Sequence, residues 1–455
     1  MSVRRQHGAG ATAEGRPARS RVRAIVLGLT ALSLPLAACS TTSSSSAGSS
    51  AKPTTASAGP SCQKPVPVTA AMDASTTGIT ADSVTVGNVA TISGPVPGLF
   101  EGAPIGVKAY FDYVNSQGGV NGRKLEVKSM DDAFTGQQNA SETQTAVSSD
   151  FAMVGNFSLF DSYGCKILAQ NPAVADVSVT LDPGTNALPN DFSAQPLALG
   201  LALGSLQYIR KKYPSDRRVG TIVSTTASAV AQWQGEEAAL EHAGFTIAYQ
   251  QKVEPLTSDF TTEVIKMRDA GVNVLYLTAL DWQVAALITK DMVEQDWHPA
   301  VVLSGGPIYA DQFIAAAGGA SAVDGDWIGQ AQALYLGQDA SSVPADKLFL
   351  QWVKTVTPKW TPDLFTLYGW SSAQLFVQAL RAAGKDPTRG SLLAQLHKIT
   401  SFDASGLLAP TDPANKLPSN CFVMARIEHG QFQRVLPPKS GFTCSSTFYY
   451  ASGKP

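Results

Sequence analysis

Apolar and polar residues alternate along the chain in two distinct periods. The run Val84–Ala90 is short, apolar and rich in β-branched residues, as expected for a buried strand. The segment Gly102–Asn115 instead carries Val107, Phe111 and Val114 at positions i, i+4 and i+7, which places the three side chains on one face of a helix. The beginning of the pattern therefore predicts a strand followed by an amphipathic helix.

This alternation continues in two successive series, separated by a loop at Leu181–Pro196. The first series predicts strands Val84–Ala90, Lys124–Met130, Phe151–Gly155 and Ala173–Val179, with helices Gly102–Asn115, Gln137–Ser149 and Asp161–Gln170. The second predicts helices Leu197–Lys212, Val230–Ala243, Thr261–Ala270 and Trp282–Gln295, with strands Arg218–Ser224, Thr246–Gln250, Val274–Leu280 and Ala300–Ser304. Such a pattern produces right-handed βαβ units, so we predict an α/β fold with two doubly wound, Rossmann-like lobes.

The last third of the chain is more helical and closes on a hairpin. We predict helices Ala345–Val356, Phe365–Ala383 and Ser391–Ile399, and then strands Cys421–Ile427 and Gln431–Val435. The pair His429-Gly430 between these two strands indicates a tight turn.

The N-terminal segment has the features of an export signal. A start rich in arginine precedes an apolar stretch, Ala24–Ala38, of about 15 residues, which is shorter than the roughly 18–20 that span a bilayer. The stretch ends in Leu36-Ala37-Ala38-Cys39, which resembles the lipobox of bacterial lipoproteins, whose cysteine thiol receives a diacylglycerol. The alternative is an ordinary signal peptide that contains a cysteine.

The segment after Cys39 supports the lipoprotein interpretation. Residues 39–77 begin with a run of Ser, Thr, Ala, Gly and Pro that has little apolar surface to bury, as in a flexible tether. We therefore predict a signal peptide at residues 1–38, lipidation of Cys39, and a folded part held at the extracytoplasmic face of the cell membrane. Roughly 390 of the 455 residues remain for that part, enough for two domains.

Four cysteines remain once Cys39 is lipidated, an even number in an exported chain, so we expect two disulfides. We favour Cys421 with Cys444 because these two flank the predicted hairpin, which leaves Cys62 for Cys165. Four cysteines allow three pairings, and the sequence does not choose among them. No pair has CxxC spacing and the five histidines are scattered, so we predict no metal site.

Composition and motifs offer no catalytic chemistry. A net charge of −2 provides no electrostatic basis for binding nucleic acid, and no later run is apolar enough to span a membrane. The turn Ser93–Gly98 lacks two of the glycines of a dinucleotide site, and neither a P-loop nor a GxSxG elbow is present. Asp131 and Asp132 at a strand end could be taken for a metal or acid/base pair, but acids in this position commonly cap the following helix or pair with a neighbouring Lys or Arg. We predict no enzyme activity and no cofactor.

A specific family resemblance comes from the order of several short motifs. Close to one another lie Gly78–Gly87, Ser93-Gly94-Pro95, Tyr113–Arg123 and Asp131-Asp132. This succession resembles the opening of type I periplasmic solute-binding proteins, in the branch that binds leucine, isoleucine and valine. The resemblance covers nearly the whole mature chain through Ser258-Asp259-Phe260, Tyr368-Gly369-Trp370 and Pro387-Thr388-Arg389.

The resemblance implies two lobes joined by three crossovers, which close on a small solute and deliver it to an ABC permease without chemistry. We place lobe 1 at residues 78–196 plus 330–410 and lobe 2 at residues 197–329 plus 411–448, with crossovers near Pro196, Gly329 and Pro410. The protein is expected to be a monomer. The ligand should lie between the lobes, at the carboxyl ends of the strands, and its contacts with both lobes should favour closure.

The loops at these strand ends supply the candidate ligand-binding residues. They are Ser93, Phe100, Ser158, Phe160, Ser178, Thr180, Thr226, Asp281, Trp282 and Tyr309.

This chain departs from the pattern of the amino-acid-binding relatives in three places. A Ser/Thr-rich stretch is replaced by Ser158–Asp161, a Tyr by Leu99 or Phe100, and an acid is missing from Ser304-Gly305-Gly306. Asp281 could supply that acid or could cap the helix that follows it. Trp282 and Phe160 either line the cleft or pack within a lobe. We predict an apolar or aromatic ligand, for example an aromatic acid, or a branched-chain amino acid held differently.

Two other functions compete with solute import. A sensory receptor domain of the same fold would normally continue into a transmembrane helix, which this sequence lacks before Pro455. An exported enzyme has no motif to support it.

Overall fold

The computed structural model describes residues 62–197, 199–444 and 447–450. The predicted signal peptide, Cys39 and most of the tether lie outside these ranges.

The strands of the described chain correspond closely to the apolar runs of the sequence. They are β1 (Ser83–Ala90), β2 (Lys124–Asp131), β3 (Met153–Val154), β4 (Asp176–Val177), β5 (Gly200–Ala202), β6 (Arg218–Ser224), β7 (Thr246–Val253), β8 (Val274–Leu277), β9 (Val301–Ser304), β10 (Trp327–Gln330), β11 (Cys421–Glu428), β12 (Gln431–Leu436), β13 (Thr443–Cys444) and β14 (Phe448–Tyr450).

The helices alternate with these strands. They are α1 (Ala70–Asp73), α2 (Gly102–Ser116), α3 (Gly136–Ser149), α4 (Asp161–Gln170), α5 (Pro183–Asn186), α6 (Leu203–Lys212), α7 (Ala227–His242), α8 (Thr261–Asp269), α9 (Trp282–Glu294), α10 (Asp311–Ala316), α11 (Ala320–Val323), α12 (Pro344–Val356), α13 (Leu364–Ala382) and α14 (Arg389–Leu396), with short 3-10 turns at Gly306–Ile308 and Ala404–Gly406.

Two sheets organise the described residues into two α/β lobes. The first lobe contains a parallel sheet in the order β2-β1-β3-β4. The second lobe contains a larger sheet in the order β12-β11-β10-β9-β8-β6-β7, which is parallel from β10 to β7 and antiparallel at β11 and β12. Strands β1 to β4 build the first sheet and β6 to β10 build the second, whereas α12 and α13 pack against α2 of the first lobe and β11 and β12 return to the second sheet.

Close packing of α2 against α13 holds the first lobe together. Gly106 and Gly369 lie where the two helix backbones approach each other. A Cβ atom at Gly106 would lie 2.0 Å from the carbonyl oxygen of Thr366, and one at Gly369 would lie 2.0 Å from that of Ala103. Both positions therefore require glycine, and α13, which comes late in the sequence, is an integral part of the first lobe.

Two helices begin three or more residues from their predicted starts. The helix predicted to begin at Leu197 begins at Leu203, because Gly200–Ala202 pairs as β5 with the C-terminal strand β14. The helix predicted from Val230 begins three residues earlier, at Ala227. The side chain of Thr226 caps it by accepting a hydrogen bond from the Ala229 N–H at 3.4 Å.

Both predicted disulfides form, Cys62 with Cys165 and Cys421 with Cys444. The second joins β11 to β13 beside the predicted hairpin, whose turn residues His429 and Gly430 both have positive φ. The first ties the end of the tether to α4, so the tether is attached to the first lobe.

Among the helices in the described ranges, none has both the length and the apolar composition needed to cross a membrane. The same part of the chain contains no group of three or more His, Cys, Asp or Glu side chains that could hold a metal ion.

Candidate functional site

The carboxyl ends of both sheets face one cleft between the lobes. Loops that follow β1 to β4 line it from the first lobe, and residues at or after the ends of β6 to β9 line it from the second. Parallel sheets place these loops at one edge, where α/β proteins bind ligands.

The cleft contains two neighbouring cavities. The one we call the apolar chamber has a volume of about 130 Å³ and is lined by Val96, Leu99, Phe100, Phe134, Phe157, Leu159, Leu181, Ser224, Thr226, Ser228, Ala229, Gln232, Val253, Glu254, Pro255, Thr257, Phe260, Ala279, Leu280, Asp281, Val284, Pro307 and Phe365. An apolar cavity of roughly 150 Å³ can hold benzene, so this volume suits the body of a small organic molecule.

The second cavity, which we call the polar chamber, has a volume of about 270 Å³. Its polar lining includes Thr180, Gln195, Ser205, Gln232, Glu236, Tyr276, Thr278, Gln330, Gln332, Tyr368 and Ser419. The two chambers share six wall residues, namely Phe157, Leu181, Gln232, Ala279, Pro307 and Phe365. The two chambers are therefore adjacent in the cleft.

Three phenylalanines form an aromatic wall on the first lobe. Phe100 follows β1, Phe157 follows β3 and Phe365 lies in the first turn of α13. Their ring centroids are 4.6 to 4.9 Å apart, and all three rings are at most 5 % exposed. Tyr368 extends this wall into the polar chamber, 5.9 Å from Phe157. These rings pack edge-to-face, tilted or stacked on one another and together make a continuous aromatic surface.

Amide side chains connect the segments that cross between the lobes. The Nε2 of Gln332, just after β10, donates to Gln195 Oε1 at 2.7 Å and to the Tyr368 hydroxyl at 3.2 Å. Gln330 donates to the carbonyl oxygens of Gln332 and Ala333. One end of the polar chamber therefore offers neutral polar groups.

Helix α7 contributes a buried carboxyl group to the polar chamber. Glu236 is 4 % exposed, and its Oε1 accepts hydrogen bonds from Gln232 Nε2 at 2.8 Å and Thr278 Oγ1 at 2.9 Å. Burial raises the pKa of Glu236 to about 7, and the polar side chains around it, Thr278, Gln232 and Tyr276, oppose this rise. Oε2 itself has no hydrogen-bond partner among the described residues in this conformation.

The charged residues of the cleft are all acidic. Glu254 and Asp281 line the apolar chamber and Glu236 lines the polar chamber. Among the described residues that line either chamber there is no lysine, arginine or histidine. The cleft therefore favours a cation or a neutral molecule over an anion.

Four of the sequence-predicted residues line the two chambers. Phe100, Thr226 and Asp281 line the apolar chamber, and Thr180 lines the polar chamber. Asp281 also caps α9 by accepting a hydrogen bond from the Val284 N–H at 3.0 Å, and burial raises the pKa of its carboxyl group. The Thr180 hydroxyl donates to Asp191 at 2.6 Å, so its donor is already used.

The other six predicted residues lie elsewhere. Ser158 and Ser178 line a separate cavity of about 30 Å³ within the first lobe, where they donate to Asp132 and Asp176. Ser93 is exposed.

The three aromatic residues among these six pack against other parts of the lobes. Phe160 packs against Phe134, with ring centroids 5.4 Å apart. Trp282 packs on the main hydrophobic core, and Tyr309 is fully buried between Tyr335 and Phe432.

Glu236 and Gln232 were not among the residues predicted from the sequence. They lie four residues apart in the interior of a helix, a spacing that also suits a solvent-exposed polar pair. Asp131 and Asp132 do not cap α3, whose N-cap is Thr135, and instead accept hydrogen bonds from the loops around them. Asp131 accepts hydrogen bonds from the N–H groups of Ile92, Ser93 and Ala133.

Comparisons with known proteins agree with this architecture. A sequence model of the family described as periplasmic binding protein matches residues 83–431. Leu/Ile/Val-binding protein homolog 8 of Brucella abortus (strain 2308) is 25% identical over 260 residues, which are 53% of this chain and 62% of that protein. The chain thus spans less than two thirds of that relative. Homolog 3 of Brucella melitensis is 23% identical over 319 residues, covering 69% of this chain and 83% of the relative.

Solved structures with the same fold include proteins of different ligand classes. A fatty acid ABC transporter substrate-binding protein from Thermomonospora curvata has a TM-score of 0.68 at 19% identity, covering 86% of this chain and 97% of that one. The branched-chain amino acid transporter substrate-binding protein LivJ of Streptococcus pneumoniae, in complex with isoleucine, has a TM-score of 0.64 at 16% identity, covering 80% and 100%. These likenesses confirm the predicted fold of two α/β lobes.

Proposed function

Because the chain belongs to the periplasmic binding protein family, we propose that it is the solute-binding component of an ABC importer. Members of this family are extracytoplasmic solute-binding proteins rather than enzymes. In this proposal a small ligand occupies the cleft between the lobes, favours the closed state by contacting both, and is delivered to a permease.

The observation that supports this proposal is the two-chambered cleft at the carboxyl ends of both sheets. The apolar chamber takes its walls from both lobes, so a bound molecule would link them. The aromatic wall of Phe100, Phe157 and Phe365 suits an apolar or aromatic body. The names of the relatives mention both branched-chain amino acids and fatty acids, and an apolar body is common to the two classes.

Native mass spectrometry of the protein purified from its own cells tests the cleft. We expect a retained small molecule in the native protein and its loss in Ser228→Trp, because Ser228 lines the apolar chamber and an indole there fills the space. Gln234→Trp places the same side chain on the exposed face of the same helix and should retain the molecule. Equal retention in both variants would contradict the proposal.

We also propose that Cys39 carries a lipid anchor. Cys39 lies outside the described residues, but the chain that follows is secured to the first lobe by the Cys62–Cys165 disulfide and by a hydrogen bond from the Val66 N–H to the Ala169 carbonyl at 3.0 Å. A diacylated cysteine would supply two acyl chains, and stable membrane attachment requires at least two such signals. The tether would keep the binding protein near its permease.

Replacing Cys39 with serine should release the protein from the membrane fraction and leave ligand binding intact. Cell fractionation, together with the mass of the mature N-terminal peptide, measures the outcome. If Cys39 is only an incidental residue of an ordinary signal peptide, the native protein and the variant will show the same distribution and no lipid mass.

A further inference from the structure

The carboxyl group of Glu236 lacks a partner for one of its oxygens. Burial normally requires that a carboxylate be paired with a cation or fully hydrogen-bonded. Here Gln232 and Thr278 satisfy Oε1, and Oε2 has no hydrogen-bond partner among the described residues although the side chain is only 4 % exposed. Because Glu236 lines the polar chamber, a ligand in that chamber can supply the missing partner.

The charge of the surroundings limits what that partner can be. Among the described residues, neither chamber is lined by a basic side chain. Apart from Glu236, the charged residues that line the chambers are Glu254 and Asp281, and both are acids. An anionic ligand would enter without a counter-charge, whereas a cation would supply the counter-charge that Glu236 lacks.

The position of Glu236 relative to the aromatic wall defines the shape of the ligand. Gln232 lies one helical turn before Glu236, bonds to it, and lines both chambers. Phe157 and Phe365 also line both chambers, so the aromatic wall extends to the edge of the space that contains Glu236. A molecule with its apolar body on this wall can direct a polar head toward the free oxygen.

We propose that the cleft binds a hydrophobic amine, with its apolar body in the apolar chamber and its ammonium group donating to Oε2 of Glu236. This inference rests on the proposed solute-binding function and names the class of solute. The ligand carries no carboxylate, because no described residue that lines either chamber has a positive charge to pair with one. It therefore differs from an amino acid and from a fatty acid.

A matched series of phenyl compounds tests the head group. Isothermal titration at pH 8 compares 2-phenylethylamine, 2-phenylethanol, 3-phenylpropanoate and phenylalanine on the purified mature protein. We expect the amine to bind at least about 30-fold more tightly than the propanoate or phenylalanine, a ratio in keeping with the cost of an unpaired buried charge.

Variants on one helix separate charge from packing. Glu236→Gln keeps the size of the side chain and should weaken binding of the amine at least about 30-fold, with the alcohol changed by less than about twofold. Glu241→Gln removes an exposed carboxylate from the same helix and should change neither.

The pH dependence gives a further readout. Glu236 has a pKa of about 7, so amine affinity should fall as the pH drops below 7 and Glu236 takes up a proton, and this fall should be absent in Glu236→Gln. The titratable group facing Glu236 is the hydroxyl of Tyr276, whose pKa is raised well above its usual value by burial and by Glu236. Helix α7 packs against β5, β6, β7 and β14. The other titratable or charged groups on these five elements are Glu237, Glu241, His242, Arg218, Tyr249, Lys252 and Tyr449.

The histidine of this group, His242, stacks its ring on Tyr449 with centroids 4.5 Å apart. His242→Gln should leave the pH profile of amine binding unchanged.

Three outcomes would overturn the inference: no binding of the amine, equal or tighter binding of the propanoate or phenylalanine, or an unchanged amine affinity in Glu236→Gln. The proposed solute-binding function is judged separately. The solute-binding function stands if the native protein binds any of these compounds, or a co-purified molecule, and the Ser228→Trp variant does not.

Discussion

Cys62→Ala is expected to lower the free energy of unfolding by about 4–5 kcal/mol, because it removes a cross-link between residues 103 positions apart. A disulfide restricts the unfolded chain, and for a loop of about 100 residues the entropic model gives about 4.7 kcal/mol. Replacing Cys62 alone tests the cross-link better than replacing both cysteines, because it leaves the packing around Cys165 in place. Cys62 is only partly buried, and the fully buried sulfur of Cys165 stays in its packing cluster with Leu168 and Met153.

Guanidinium unfolding of the oxidised protein, with the midpoint and slope both fitted, measures this loss. Cys421→Ala with Cys444→Ala is the matched comparison. It opens a loop of 23 residues, for which the same model gives about 3 kcal/mol. If the shorter cross-link proved to contribute more than the longer one, restriction of the unfolded chain would not be the source of the stability.

Glu236→Gln is expected to raise the free energy of unfolding at pH 8 by about 3 kcal/mol. Burial raises the pKa of this carboxyl group from 4.5 to about 7, and each pKa unit corresponds to about 1.36 kcal/mol. Between pH 4.5 and about 7, Glu236 has lost its proton in the unfolded chain but still holds it in the folded protein. Stability therefore falls as the pH rises through this window, and above it the folded state bears the whole cost of the buried charge.

Unfolding of the native protein and the variant at pH 4.5 and pH 8, without ligand, isolates this contribution from the other buried acids. The difference between the two proteins should be small at pH 4.5 and reach its full size at pH 8. Glu241→Gln, with an exposed side chain, should show no such dependence. A stability difference of the same size at both pH values would show that the effect comes from packing rather than from charge.

An acidic group that lowers the stability of the free protein is characteristic of a functional position. Glu236 combines burial with an oxygen that has no partner in the described structure, and it borders a cavity rather than the close-packed core. Under the proposed function, an ammonium head would offset part of this cost on binding and thereby favour the closed, loaded state.

Much of the fold could be predicted from local sequence patterns. The strand β1 and the helix α2 agree with their predicted bounds to within a residue, because periods of two and 3.6 reflect which side chains face a neighbouring layer. The hairpin turn at His429-Gly430 and the favoured pairing of Cys421 with Cys444 likewise follow from residues close together in the chain. By contrast, β5 was missed, since its pairing with β14 joins segments far apart.

The sequence by itself determined the alternation of strands and helices and the location of the strand-end loops, because these depend on neighbouring residues. Four residues chosen at strand ends, Phe100, Thr180, Thr226 and Asp281, line the two chambers. Only the tertiary structure decided which polar groups meet there. Gln332 bonds to Gln195 across 137 positions, and Glu236 is buried because Thr278, 42 positions away, packs against it. Burial and the resulting rise in pKa depend on such distant contacts, and no local period encodes them.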